Sequence, residues 1–338
     1  MEKWIEELFS VELLEKAAVK FGCEASGAKK LGDFENYVYE VHKGDTPYIL
    51  RLTHSSHRSG IDVEAELRWV NYLHENGVNV SLANRSREGR LVEKLEAGDT
   101  CFYVCLFDKA PGKPVRINDP LFDEALFKEW GRVTGKMHRL TKEYKAGEYQ
   151  RERWDEDDIL SYSKYLTQED AVIIEKAEKN KKELQKLDET LEIFGIIHSD
   201  IHAGNFFYHD GEMHVFDFDD SMQFFFMSDL AIPLYYSVWW KHGKGNLRER
   251  SEFGETFLKA FLNGYLEENS VDEKMIARLP SFLSLRDFTL YSVFHKKWDL
   301  TNLSEAEESL LSGLKERLLN DEPIVSLDYQ AILTQAKG

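Results

Sequence analysis

The 338-residue chain is long enough for two domains sharing a cleft, and its 42% hydrophobic content with 21 Phe supplies a substantial core. Seven Pro and 21 Gly are too few for a disordered protein. A net charge of −18 argues against nonspecific binding to nucleic acid or an anionic membrane; it would suit a cationic substrate such as an amine, but solubility alone accounts for it.

The amino terminus, MEKWIEELFSVELLEK, mixes charges with apolar residues at helical spacing and has no signal-peptide core. Leu31-Gly32 through Asn36 leads into a strand at Tyr37–Val41, and a second strand at Tyr48–Leu52 follows the turn Lys43–Pro47. Gly32 at the entry of this hairpin can bring backbone N–H groups close to phosphates, although a plain turn is the simpler reading. A helix is expected from about Asp62 to Glu75, with Leu67, Val70, Asn71 and Leu73 on one face and Gly77 as its stop. Arg51 on the strand and Glu66 on the helix match an arrangement in which a strand cation reaches nucleotide phosphates and a helix glutamate holds it.

Further strands are expected at Arg90–Glu93 and Thr100–Phe107, with Leu95–Asp99 between them. Lys109-Ala110-Pro111-Gly112-Lys113-Pro114 is the best linker in the chain, which places a boundary near residue 110. The expected organisation is a nucleotide-binding lobe over 1–109 and a catalytic, substrate-binding lobe over 110–338. An adenine would stack at the junction, on backbone from Asp108 to Ala110.

Beyond the linker, Phe122–Leu140 and Ile159–Leu191 carry helical apolar patterns, the latter interrupted near Gln168. The acidic run Asp155–Asp158 suits a helix start better than a cation site. The stretch Ile197–Asp217 carries the chemistry. Asp200, in a loop after the apolar Gly195-Ile196-Ile197, can orient a substrate hydroxyl and accept its proton. Asn205 and Asp217 offer oxygen ligands to Mg²⁺ beside the phosphates of ATP.

Asp210-Gly211 marks a hairpin turn between Phe206–Tyr208 and Met213–Phe216. A three-residue loop would pair Asn205 with Asp217; a two-residue loop would pair Asn205 with Phe216. Sharing one cation favours the longer loop. Ser228-Asp229 is placed to cap the next helix, with Asp229 also able to brace the Asp200 loop. Tyr235, Tyr236, Trp239 and Trp240 on that helix read as core packing rather than a substrate cage.

Two rivals remain. His198-x-Asp200-x-His202 could ligate zinc in a hydrolase, but this leaves Asn205 and Asp217 idle. A nucleotide-binding regulatory module without turnover is the other, against which the intact Asp200, Asn205 and Asp217 set counts. No Walker loop or Rossmann fingerprint is present. The richest apolar run, Phe224–Trp240, is broken by Ser228, Asp229 and Pro233, and Cys23, Cys101 and Cys105 form neither a disulfide framework nor a zinc pattern. A cytoplasmic protein fits best, with no nucleic-acid or membrane partner.

With these residues in hand, the chain resembles the aminoglycoside phosphotransferase and choline kinase superfamily, closest to the bacterial branch with stress response kinase A and type II homoserine kinases. The most specific match is His198-Ser199-Asp200 through Asn205, then Val215-Phe216-Asp217-Phe218-Asp219 and Ser228-Asp229-Leu230-Ala231. The resemblance implies an α+β, bilobal protein-kinase-like fold, with a small antiparallel-sheet lobe followed by a larger, mainly helical lobe. It implies Asp200 as base, Asn205 and Asp217 on Mg²⁺, Leu31–Tyr39 as nucleotide loop, Glu66 as helix glutamate and Phe107–Ala110 as hinge. Arg51 stands where Lys is usual, and Ser199 where Gly is usual. The expected activity is ATP-dependent phosphorylation of a hydroxyl on a small molecule (amino alcohol, amino sugar or amino acid) or on protein Ser/Thr.

Overall fold

The computed structural model describes residues 2–338. After α1 (Lys3–Glu6) and α2 (Val11–Lys20), the chain builds a six-stranded antiparallel sheet from β1 (Glu24–Gly32), β2 (Asn36–Lys43), β3 (Thr46–His54), β4 (Ala83–Asn84), β5 (Glu93–Ala97) and β6 (Thr100–Asp108), with α3 (Gly60–Glu75) following β3. The strand order is β1-β2-β3-β6-β4, and β5 also pairs with β6. Next come α4 (Glu124–Thr141), α5 (Tyr162–Tyr165), α6 (Ala171–Leu184) and β7 (Phe194–Ile197). The hairpin β8 (Phe206–His209) and β9 (Glu212–Val215) leads to β10 (Met222–Phe225), which pairs with β7. The remainder is helical: α7 (Ser228–His242), α8 (Leu247–Glu268), α9 (Glu273–Ile276), α10 (Leu279–Lys297), α11 (Glu305–Leu319) and α12 (Tyr329–Lys337). The fold is thus α+β, with an antiparallel sheet in the amino-terminal region and a helical carboxy-terminal part.

The chain divides into two compact units. The first holds the chain up to Lys113 together with Tyr144–Arg151 and Phe206–Asp219. Its core lies between the sheet and the amino-terminal helices, where Leu13, Ala17, Tyr37, Val41, Leu50, Leu52 and Phe102 are buried. α3 starts on a capping box, the Ser59 hydroxyl accepting from Asp62 N and the Asp62 carboxylate accepting from Ser59 N. Asn71 exchanges two hydrogen bonds of 2.9 Å with the backbone of Ala83, which fixes α3 to β4. Gly112 packs where a Cβ would come within 2.6 Å of the Tyr208 carbonyl, so the linker lies against β8 only as glycine.

The second unit holds Pro114–Glu143, Glu152–Asn205 and Asp220–Gly338. Its helices α4 and α8 cross at backbone distance: a Cβ on Gly264 would lie 1.7 Å from the Lys128 carbonyl oxygen, and one on Gly131 would lie 1.8 Å from that of Phe261. Among the described residues, no helix is long and apolar enough to cross a membrane. The three cysteines are free and buried.

Several expected elements differ. The strand expected at Arg90–Glu93 begins only at Glu93 and runs to Ala97, because Gly98, at φ 63°, makes the tight turn into β6. Before it, Arg90 folds back, its guanidinium donating to the Glu93 carboxylate at 2.5 Å. β1 was not expected. It lies at the sheet edge with mostly exposed side chains, so its sequence has no apolar alternation. The expected Ile159–Leu191 helix is shorter pieces, with α6 ending at Leu184, and Asp157 caps only the single turn Asp158–Leu160.

The hairpin register is also corrected. β8 and β9 pair Phe206 with Val215 and His209 with Glu212, which is the two-residue loop, not the longer one. Asp210 and Gly211 both take positive φ, 49° and 87°, the primed turn whose twist suits a hairpin. Pairing Asn205 with Asp217 across the ladder is therefore ruled out. Asp217 itself has φ 63° beyond the end of β9, so strand alternation no longer dictates where its side chain points.

Candidate active site

In the first unit, β3 directs Arg51 inward against α3. Its two terminal nitrogens donate to the two Glu66 oxygens at 2.8 and 2.6 Å, a bidentate pair with both side chains almost fully buried. The guanidinium also lies over the Phe107 ring, 5.2 Å from its centroid. Arg51 Nε is buried without a hydrogen-bond partner, leaving a cationic donor unspent.

A second buried carboxylate organises this unit. Asp219 Oδ2 takes Asn36 Nδ2 at 3.1 Å and His57 Nε2 at 2.7 Å, and the Arg58 guanidinium lies 3.8 Å from Oδ1. Arg151 donates to the Asp219 carbonyl at 2.5 Å and to that of Asp62 at 2.9 Å. Burial pushes the Asp219 carboxyl up, but the His57 hydrogen bond and the Arg51 and Arg58 charges outweigh it and hold it well below the usual range. Asp219 thus ties the start of β2 and the β3–α3 turn to the segment that carries Asp217. Gly32 closes β1 opposite Val38, and nothing lies within 4 Å of where its Cβ would be. At the end of β6, Asp108 N donates to Leu82 O at 2.9 Å, and its carboxylate accepts from Asn84 at 2.8 Å. Ala110 follows, half-buried.

In the second unit, the loop after β7 closes on itself around Asp200. His202 N donates to the Asp200 carbonyl at 2.8 Å and Asn205 N to the His202 carbonyl at 2.9 Å. Asn205 Nδ2 donates to both the Asp200 carbonyl, at 2.9 Å, and Asp200 Oδ2, at 3.1 Å. These bonds use the amide nitrogen and leave Asn205 Oδ1 as the side chain's remaining acceptor. His202 Nε2 lies 3.3 Å from Asp200 Oδ2, and Arg286 of α10 reaches Oδ1 at 3.3 Å. Burial pushes the Asp200 carboxyl up, but the His202 hydrogen bond and charge and the Arg286 charge prevail and keep it ionised below its ordinary range.

Asp229 braces this loop from beneath. Its carboxylate accepts from His198 N at 2.9 Å and Ser199 N at 2.8 Å. It makes no cap for α7, so the capping expectation for Ser228-Asp229 fails: both carboxylate oxygens are committed to the loop. His138 of α4 adds a third partner at 3.2 Å and is itself held by the Tyr265 hydroxyl of α8 at 2.9 Å. Ser199 sits at φ 66°, a left-handed conformation that glycine takes without strain.

Tyr235 and Tyr236 are buried, in keeping with core packing, whereas Trp240 is 43% exposed and is not core. Its ring lies 5.0 Å from that of Tyr236 and 5.2 Å from that of His202. One face of the Tyr236 ring is covered by the Arg286 guanidinium, 4.9 Å from its centroid.

The structure thus joins Arg51 to Glu66 and Asp200 to Asn205. Sequence reasoning missed Arg286, whose link to Asp200 spans 86 residues and has no local signature. It also assigned no role to Asp219, although its spacing of two from Asp217 was a usable signal.

Comparison with known proteins gives the family and the fold. Residues 28–275 match the phosphotransferase enzyme family, and the chain belongs to it. It is 34% identical over 337 residues to amicoumacin kinase of Bacillus subtilis (strain 168), a match covering 98% of this chain and 99% of that protein. A solved amicoumacin kinase in complex with AMP-PNP, Ca2+ and Ami has a TM-score of 0.92 at 31% identity, covering 98% of this chain and all of that one. A microcompartment-associated aminopropanol kinase shares the fold, with a TM-score of 0.71 at 20% identity over 93% of this chain and 98% of its own. The protein is a kinase.

Proposed function

We propose that the protein transfers the γ-phosphate of ATP, with Mg²⁺, to a hydroxyl of a small molecule, and that amicoumacin is the first acceptor to test. The observation that carries this reading is the Asp200–Asn205 pair: a carboxylate held ionised on a closed loop beside an amide whose nitrogen is spent and whose oxygen is not. Asp200 orients the acceptor hydroxyl and takes its proton as the hydroxyl oxygen bonds to the γ-phosphorus. The bond from that phosphorus to the ADP oxygen breaks in the same displacement. Arg51, held by Glu66, offers its cation and its unspent Nε donor to the α/β-phosphates. Gly32 leaves room for backbone to approach phosphate, and backbone between Asp108 and Ala110 binds adenine. In this reading residues 1–109 form the nucleotide-binding lobe and 110–338 the catalytic and acceptor-binding lobe.

Asn205 Oδ1 and the Asp217 carboxylate are the Mg²⁺ ligands. They fit this ion, which takes one or two protein oxygens and completes its shell with phosphate oxygens and water. When bound, it neutralises charge that develops on the phosphate oxygens. Zinc does not fit: among the described residues, no three His, Cys, Asp or Glu side chains gather to hold a metal ion. An ATP donor is consistent with a cytoplasmic protein, and the small-molecule acceptor is preferred to protein Ser/Thr because two nearly full-length relatives above 30% identity are amicoumacin kinases.

The test is an ADP-release assay with Mg²⁺-ATP and amicoumacin, 1-amino-2-propanol or choline. Asp200→Asn should lower kcat by about 10²–10⁴-fold. Full activity in that variant would overturn the base assignment, and turnover of none of the three acceptors by the wild type would overturn the acceptor class.

A further inference from the structure

Arg286 is placed at a cost that packing alone does not explain. One terminal nitrogen donates both to Asp200 Oδ1, at 3.3 Å, and to the Tyr236 hydroxyl, and the guanidinium lies on the Tyr236 ring. Its Nε is buried with no hydrogen-bond partner. Taking a guanidinium from water while leaving one donor unmade is unfavourable, and an apolar side chain of similar volume would fill the same space more cheaply.

The placement makes sense through Asp200. Oδ2 is held by Asn205 and His202, both within the same short loop, so these bonds move with the loop. Arg286 comes from a long buried helix and holds the other oxygen. One tether inside the loop and one outside it fix the rotation of the carboxylate about its χ2 axis. In-line transfer depends on such alignment, and a misplacement of about 1 Å costs on the order of 10²-fold in rate.

We propose that Arg286, steadied by Tyr236, is a positioning residue for phosphoryl transfer, locking the Asp200 carboxylate in the orientation that receives the acceptor hydroxyl. Arg286 exchanges no proton; it sets the direction of the oxygen that does. This inference rests on Asp200 being the base.

The experiment measures kcat and KM for Arg286→Ala, Arg286→Lys, Tyr236→Phe and Asp200→Asn. It uses Mg²⁺-ATP and whichever of amicoumacin, 1-amino-2-propanol or choline the wild type turns over. Arg286→Ala should lower kcat about 100-fold, with KM for ATP and acceptor unchanged within about threefold. Millimolar methylguanidine should restore part of the Arg286→Ala rate, and Arg286→Lys should fall between the two. Tyr236→Phe should lower kcat several-fold without changing KM; with Arg286→Lys it decides the matter if Arg286→Ala fails to fold.

A kcat for Arg286→Ala within about threefold of wild type would overturn the inference. So would a rise in acceptor KM at unchanged kcat, which would make Arg286 a binding residue, or a kcat loss in a folded variant that neither lysine nor methylguanidine repairs. If Asp200→Asn is inactive while Arg286→Ala is normal, this inference alone falls. If Asp200→Asn is fully active, the functional reading falls and this one with it.

Discussion

Ser199 shows how a single backbone conformation limits the loop that carries Asp200. At φ 66° it holds the left-handed region, which costs a non-glycine residue about 1–2 kcal/mol. The loop accepts this because Ser199 N and His198 N must both point at the Asp229 carboxylate. Replacing Ser199 with glycine relieves the strain, but the freer unfolded chain returns about 0.5–1 kcal/mol of the gain. Ser199→Gly should therefore raise stability by about 0.5–1 kcal/mol, read as a higher urea midpoint at unchanged slope. A lower midpoint would mean that the serine side chain itself stabilises the loop. Gly112 is the converse case, where crowding against Tyr208 rather than conformation alone demands glycine.

At the scale of elements, the crossing of α4 and α8 governs the brace beneath Asp200. Gly131, Gly135 and Gly264 let the two backbones touch, and that closeness brings Tyr265 to His138 and His138 to Asp229. A methyl at Gly264 would lie 1.7 Å from the Lys128 carbonyl, so the helices would have to separate. Gly264→Ala should cost about 3 kcal/mol, the upper range for overpacking a filled core. Its effect should reach kcat as well, because the His138–Asp229 bond would lengthen. Thermal unfolding and an ADP-release assay check both outcomes, and a change below about 0.5 kcal/mol would show that the crossing is looser than drawn here.

For the whole molecule, the relevant property is how 61 acidic residues against 43 basic ones respond to acid. Burial pushes the Asp170 carboxyl up, but hydrogen bonds from Lys315 and Tyr291 outweigh it and hold it below the usual range. Lys164 and Tyr165 lower half-exposed Asp158 to about 2. A carboxylate whose folded pKa is depressed stabilises fully above its unfolded pKa, about 3.9, and loses that contribution as pH falls toward the folded value. Stability should therefore hold between pH 7 and 5 and decline below about pH 4. Asp170→Asn should cost about 1–3 kcal/mol at pH 7 and much less at pH 3, measured by urea unfolding. An equal cost at both values would show that the Asp170 charge is not what matters.

The sequence by itself determined the candidate site residues and their spacing: Asp200, Asn205 and Asp217, the Arg51 and Glu66 placement, and the alternation of a sheet region with a helical one. These follow from local rules, in which turn residues and periodicity act over a few positions. Tertiary structure decided the rest. The hairpin took the two-residue turn because Asp210 and Gly211 both accept positive φ, against a register inferred from metal sharing. Arg286 on Asp200, Asp219 on His57 and Asn36, and His138 on Asp229 link residues between 86 and 183 positions apart, with His138 and Asp229 separated by 91. Pairings at such separations depend on how whole helices and strands pack, and no periodicity in the chain encodes them.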